Sequence, residues 1–244
     1  KVGVYAILRI YPLAFGAEAA ALADVARPWV LPLALATMLF GALGVVAARD
    51  LRVAVGWLAV CSVGTLLVAV GLFSESGYAA AIYYLPHSTL VAAAAFLVAD
   101  LVIAQRGAAG GRLGPVVPLR EAGLLGGLAG AVAIAAAGLP PLSGFFGKVM
   151  VIEAAHEHVA APWIWAAVLL TSLIVIVALA RIGSALFWRP GESRGEAARA
   201  DPRAVLATSV PIGALLLLVA GGGPATQFAQ ATAAQIAAPG GYVE

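Results

Sequence analysis

The chain has little of what a water-soluble protein needs at its surface. Charged residues make up 11% of its 244 residues, against about 25% in ordinary soluble domains. Hydrophobic residues reach 63%, and the mean hydropathy is +1.01. The net charge is only +2, and no basic cluster is dense enough to bind nucleic acid. The single cysteine, Cys61, lies in an apolar run, so it has no intrachain disulfide partner and reads as a small core residue. There is no GxxxxGK[ST] phosphate loop and no CxxC. What survives these exclusions is an integral membrane protein. Lysine is the scarcest cation, present only at Lys1 and Lys148.

A bilayer-spanning helix needs about 20 mostly apolar residues. Seven stretches qualify or nearly do: Lys1 to about Phe15, Trp29–Ala48, Val53–Phe73, Tyr78–Ala104, Leu124 to about Ala155, Pro162–Trp188 and Ala204–Ala220. They are too long and continuous for the alternating strands of a β-barrel. The sequence therefore predicts an all-α polytopic bundle. Because it opens inside an apolar run without methionine or a signal peptide, the expectation is the C-terminal part of a longer polytopic protein.

Loop charges alternate. Arg49 and Arg52, then Arg106, Arg112 and Arg120, then Arg189, Arg194, Arg199 and Arg203 occupy every second connection. The connections between them carry Glu75 in one case, and Glu153, His156, Glu157 and His158 in the other. Lys/Arg excess marks the cytoplasmic side, so the C-terminus is predicted outside. Trp29, Trp163, Trp165 and Trp188 sit near segment ends, as interfacial aromatics do.

The fifth stretch is too long for one straight span: about 30 residues reach about 45 Å, against a core of about 30 Å. Its middle holds Gly138, Pro140, Pro141, Ser143 and Gly144. Adjacent prolines remove two backbone donors and crowd the preceding turn. A discontinuous helix broken at about Gly138–Gly144 is predicted, with a simple proline kink as the plainer alternative. Broken transporter helices line cavities, because their freed backbone groups need polar partners at membrane depth.

Lys148 follows one turn past that break and is the first candidate for a proton carrier, since lysine gives up its proton when desolvated. The alternative is a lysine snorkelling to the interface. His87, near the middle of the fourth stretch, either relays a proton between its ring nitrogens or stays neutral and hydrogen-bonded. Ser88 and Thr89 either hold a water beside it or bond back to their own helix. Lys1 is a third candidate, with Tyr5 one turn on. Asp100 is either the mouth of a proton path or the partner of a loop arginine, and the partner reading is preferred. Glu153 is an exit group or an interfacial charge. Arg181 snorkels, and Asp50 pairs within its loop. His156 and His158 with Glu153 and Glu157 lack HExxH spacing and read as a polar loop, so no metal site is assigned. The Gly/Ala run Gly126–Gly138 favours close helix packing.

Lys1–Arg9 (KVGVYAILR), Tyr83–Asp100 (YYLPHSTLVAAAAFLVAD) and Ala137–Lys148 (AGLPPLSGFFGK) resemble the proton-translocating antiporter-like family. That family includes the large subunits of Mrp-type (also Mnh or Pha) multisubunit Na+/H+ antiporters and the membrane-arm subunits of respiratory complex I. The wording is most similar to the D-type large subunits of Mrp antiporters. The resemblance implies a fourteen-helix fold with two inverted five-helix repeats, each holding one broken helix. Residues 1–15 would end the eighth helix, 29–188 would form the second repeat, 204–220 the last span, and 221–244 an outer tail. It further implies that Lys1, His87 and Lys148 line a hydrated proton axis. The implied partners are other membrane subunits of the complex, protons, Na+ or another monovalent cation, and the bilayer, with no cofactor. After Asp50 the chain reads LRVAVGW, without a KR-x-x-AYSS stretch, which favours the antiporter branch over complex I. A redox-driven pump component of complex I or hydrogenase type is the first alternative. A structural scaffold that conducts nothing is the second.

Overall fold

A computed structural model describes residues 1–15, 25–107, 110–114, 119–188 and 199–238. Among these the chain is helical: α1 (Val2–Phe15), α2 (Arg27–Ala47), α3 (Leu51–Val70), α4 (Glu75–Arg106), α5 (Ala122–Ala137), α6 (Ser143–Ala154), α7 (Ala161–Gly183), α8 (Pro202–Ala220) and α9 (Gly222–Ala237). A π-helical turn, Ser184–Trp188, continues α7. Five helices, α2, α3, α4, α7 with its π turn, and α8, are long and apolar enough to cross a membrane. Helices α5 and α6 run to about 24 and 18 Å at 1.5 Å per residue, so each falls short of a span and the two share one.

Local chemistry explains several helix boundaries. Asp50 caps α3 by accepting the Arg52 amide at 2.9 Å. Ser74 caps α4 through the Gly77 amide at 3.1 Å, and Asp201 caps α8 through the Arg203 amide at 2.9 Å. α5 stops at Gly138, whose left-handed φ of 75° a side chain adopts only with strain.

α4 is the hub. It packs against α3, α5, α6, α8 and α9, and about half of its length is buried, with Pro86, Thr89, Ala93 and Phe96 left on an exposed stripe. At one end of the bundle three connections are tied together. The Leu51 amide donates to Gly111 O at 2.8 Å, and the Leu113 amide to Arg49 O at 2.9 Å. Glu121 Oε2 accepts from Gln105 Nε2 and from the Ala200 amide, each at 2.9 Å. Arg181 reaches back to Val46 O at 2.5 Å. These are the connections expected on the cytoplasmic side, and they share one end; Arg189 and Arg194 lie outside the described residues. At the other end Tyr11 of α1 packs its ring on Phe73, and its hydroxyl accepts the Ala26 amide at 3.1 Å.

One expectation needs correction. The sequence predicts a tail over residues 221–244, but Gly222–Ala237 form α9, which lies along α4 with Ala229, Ala233 and Ile236 buried. Its Thr226, Gln227, Gln230, Thr232 and Gln235 dilute the hydropathy that identifies spans, whereas small residues on one face still pack closely. The integration of α9 is testable in the full-length protein in detergent. Ala233→Leu should overpack the α4 contact and destabilise the fold by about 1–3 kcal/mol, read as a lowered Tm. Ala234→Leu on the exposed face should change stability by less than about 0.5 kcal/mol.

Candidate proton-transfer site

The site is assembled around the interruption between α5 and α6. Ending a helix at Ala137 leaves its last carbonyls without intrahelical donors. The Gly138 amide doubles back to Ile134 O and Ala135 O, both at 3.1 Å, and the Leu139 amide also returns to Ile134 O at 3.1 Å. The Ala137 carbonyl is taken by Lys148 Nζ at 2.7 Å. The same ammonium donates to Ser172 Oγ of α7 at 2.8 Å. Lys148 therefore does not snorkel. It folds back across the break, and its stem runs so near Gly138 that a β-carbon there would lie 2.8–3.0 Å from it.

His87 meets the other side of the break. Its Nδ1 lies 2.8 Å from Ser143 Oγ, at the first residue of α6, and both side chains are buried. Gly144 lets the ring come this close: a β-carbon would stand 2.9 Å from His87 Cε1 and Nε2. Tyr84, one turn earlier, holds its ring 5.2 Å from the imidazole. Pro86, just before His87, takes one backbone donor out of α4 at the level of the break.

Lys148 and His87 border one small internal cavity of about 30 Å³, with Cys61, Thr65, Tyr84 and Thr171 among its walls. A water needs about 10–15 Å³ of such space and two to four polar partners, so there is room for about two. Lys1 Nζ donates to the carbonyl of Ser88, adjacent to His87. The polar groups thus follow one another from α1 through α4 to α6 and α7.

Not every predicted residue joins this arrangement. Tyr5 is 54% exposed and turns away from the axis. Thr89 bonds back to Leu85 O at 2.8 Å and borders a recess shared with Lys1, whereas Ser88, whose hydroxyl also bonds back to Leu85 O at 3.1 Å, does line the cavity of His87 and Lys148. Asp100 is the partner of an arginine: its Oδ1 accepts from Arg52 Nη2 at 2.7 Å and Nε at 3.1 Å. Both side chains are more than half exposed, so the pair contributes little, about 0–1 kcal/mol. Glu153 is exposed in the last turn of α6, away from the cavity. His158 Nδ1 accepts the Ala160 amide at 3.1 Å, and His156 lies beside Trp165, an arrangement of loop and helix start. Pro140 and Pro141 form the exposed turn between the half-helices. Of two hydroxyls central to the geometry, Ser143 is read from the sequence only as part of the break and not as the histidine's partner, and Ser172 is not singled out at all. The only signals are hydroxyls in otherwise apolar helices, and these usually just bond back to a carbonyl.

A multi-pass helical bundle with a broken helix and a half-buried lysine folded across the break defines a polytopic membrane protein of the broken-helix class. The family described as NADH:quinone oxidoreductase/Mrp antiporter, TM matches residues 1–176, and the chain belongs to it. It is 34% identical to the D-type subunit of a probable K(+)/H(+) antiporter of Rhizobium meliloti, over 98% of this chain and 49% of that protein. It is 32% identical to the D-type subunit of the Na(+)/H(+) antiporter of Alkalihalophilus pseudofirmus, over 100% of this chain and 48% of that protein. The chain thus spans about half the length of the curated relatives it matches. Among solved structures it is similar to a chain of the Mrp complex from Dietzia sp., with a TM-score of 0.82, 24% identity, and coverage of 99% of this chain and 52% of that one. It is also similar to a chain of respiratory complex I from Thermus thermophilus, with a TM-score of 0.82, 25% identity, and coverage of 97% and 49%.

The glycines at the break make a stability test. Gly138→Ala should cost about 1–2 kcal/mol from its left-handed backbone alone. Gly144→Ala should cost about 1–3 kcal/mol, because a β-carbon would clash with the Ala135 carbonyl oxygen and stand 2.9 Å from the His87 ring. Thermal unfolding of the full-length variants in detergent measures both.

Proposed function

We propose that this chain belongs to a proton-conducting subunit, of the D type, in a multisubunit monovalent cation/proton antiporter of the bacterial plasma membrane. Protons move along Lys1, His87 and Lys148, with water in the cavity completing the link. The observation that carries this reading is the placement of His87 and Lys148 on opposite flanks of one helix break around one cavity. A scaffold without conduction needs a donor for the freed carbonyl, but it has no need to place a histidine on the same cavity. The names of the curated relatives support the antiporter branch, and Na+ or K+ is the exchanged ion by that analogy. The tied arginine-rich end faces the cytoplasm, which puts the end of α8 outside. Neighbouring membrane subunits complete the assembly, as the multisubunit Mrp relative supports.

The charging of the axis follows from its surroundings. Lys148 is held only by neutral dipoles, a carbonyl and a hydroxyl, so its charge is not locked by a carboxylate. A proton arriving on His87 or Lys1 raises the positive potential at Lys148 and favours release there. Alternating charge then advances protons in one direction when the two mouths open in turn.

The test is cation-driven proton exchange in inverted membrane vesicles carrying the full-length protein with its partner subunits, without an electron donor. Lys148→Ala should reduce exchange about a hundredfold or more, and His87→Ala at least about tenfold, by removing proton carriers. The double change Arg52→Ala with Asp100→Ala should leave the rate within about twofold, because an exposed ion pair is worth little. Normal exchange by Lys148→Ala would overturn the reading. Exchange that required an electron donor would favour a redox-driven pump, the alternative that the complex I likeness carries.

A further inference from the structure

The two partners of the Lys148 ammonium differ in what they can do. The Ala137 carbonyl, 2.7 Å away, only accepts. The Ser172 hydroxyl accepts from Nζ at 2.8 Å while giving its own proton to Val168 O at 2.7 Å. A hydroxyl both donates and accepts, and its hydrogen rotates freely. When Nζ loses a proton it gains a lone pair, which the carbonyl repels and the hydroxyl can serve. Val168 O loses nothing essential by the rotation, because helix α7 spans this position and its own backbone ladder reaches that carbonyl. Neighbouring Thr171 is not equivalent: its hydroxyl is directed to Ala167 O at 2.7 Å and Val168 O at 3.2 Å.

We propose that Ser172 is a positioning residue for proton transfer at Lys148. It holds Nζ beside the helix break as an ammonium and, by reversing one hydrogen bond, keeps it there as an amine. This rests on the reading that Lys148 carries protons. The other titratable groups around Lys148 come from two helices: Cys61 of α3, and Tyr84 and His87 of α4, all on the shared cavity. α6 itself adds only Glu153, in its last turn. α5 has no titratable side chain, α7 has only Arg181 in its last turn, and α8 has only Arg203 in its first. Ser172 is therefore the one side chain contributed from the α7 side to the Lys148 ammonium.

The experiment measures the pH dependence of exchange by the full-length protein in its complex, for wild type, Ser172→Ala, Ser172→Thr and Lys148→Ala, at matched membrane levels. Ser172→Ala removes a charge-assisted bond from the ammonium and only a weaker neutral bond from the amine, so the ammonium loses more. If transport needs protonated Lys148, the rate falls as pH rises through its titration, and this alkaline limb should move to lower pH by about one unit. Ser172→Thr keeps a hydroxyl in place and should return the limb to the wild-type position. An alkaline limb unmoved in Ser172→Ala, whether or not the maximal rate drops, would overturn the inference while leaving Lys148 as carrier. Full exchange by Lys148→Ala would instead remove the reading beneath it, so the two failures are distinguishable.

Discussion

The interruption between α5 and α6 is the constraint on which the rest of the site depends. In lipid a backbone carbonyl without a donor costs several kcal/mol, so a helix is broken only where something else can satisfy it. Here Ala137 O is satisfied by Lys148 Nζ, and this one bond solves two problems at once. The freed carbonyl gains a donor, and the ammonium gains a dipole at the negative end of a half-helix. Neither group would be tolerated alone at that depth. Gly138 makes the bond reachable, because the lysine stem passes through space that any β-carbon would fill.

The break also fixes where the histidine must be. α4 supplies a continuous wall against which both half-helices pack, and His87 lies on it opposite the start of α6. Ser143 sits at the N-terminal end of that half-helix, where amide groups lack acceptors and the local field is positive. The imidazole is therefore held at the positive end of the half-helix by a hydroxyl and not by a charged group. Lysine thus meets the negative end of one half-helix and the histidine's hydroxyl partner stands at the positive end of the other. The three tied connections at the arginine-rich end hold α3, α4, α5 and α8 in place around it without entering the cavity.

Much of this was legible in the residues, because the relevant rules are one-dimensional. Span length and hydropathy located all the long helices, and the Gly138–Gly144 cluster located the break to within the observed Gly138–Leu142 gap. Lys148 and His87 stood out as rare ionisable groups in apolar runs. Asp100 was readable as an arginine's partner for the same reason. The misses are of another kind. Tyr5 fails because helical spacing fixes a neighbour, not which face the bundle covers. α9 escaped because its threonines and glutamines dilute hydropathy while its alanines still pack. Ser172 was invisible because its role depends on a contact made across 24 residues, and nothing in a lone hydroxyl announces a distant ammonium.

The surroundings of Lys148 also bear on why lysine and not arginine stands there. Every carboxylate among the described residues lies in a connection or near a helix end: Asp50, Glu75, Asp100, Glu121, Glu153, Glu157 and Asp201. A guanidinium, with five donors and no accessible neutral form, would leave most of its donors unpaired in a site with one carbonyl and one hydroxyl. An ammonium needs fewer partners and can shed its charge altogether. A carboxylate beside it would raise the cost of that shedding, because breaking a buried pair leaves an uncompensated charge. The sparse, neutral cradle is therefore suited to a group whose task is to change charge. The same sparseness makes each of its two bonds count.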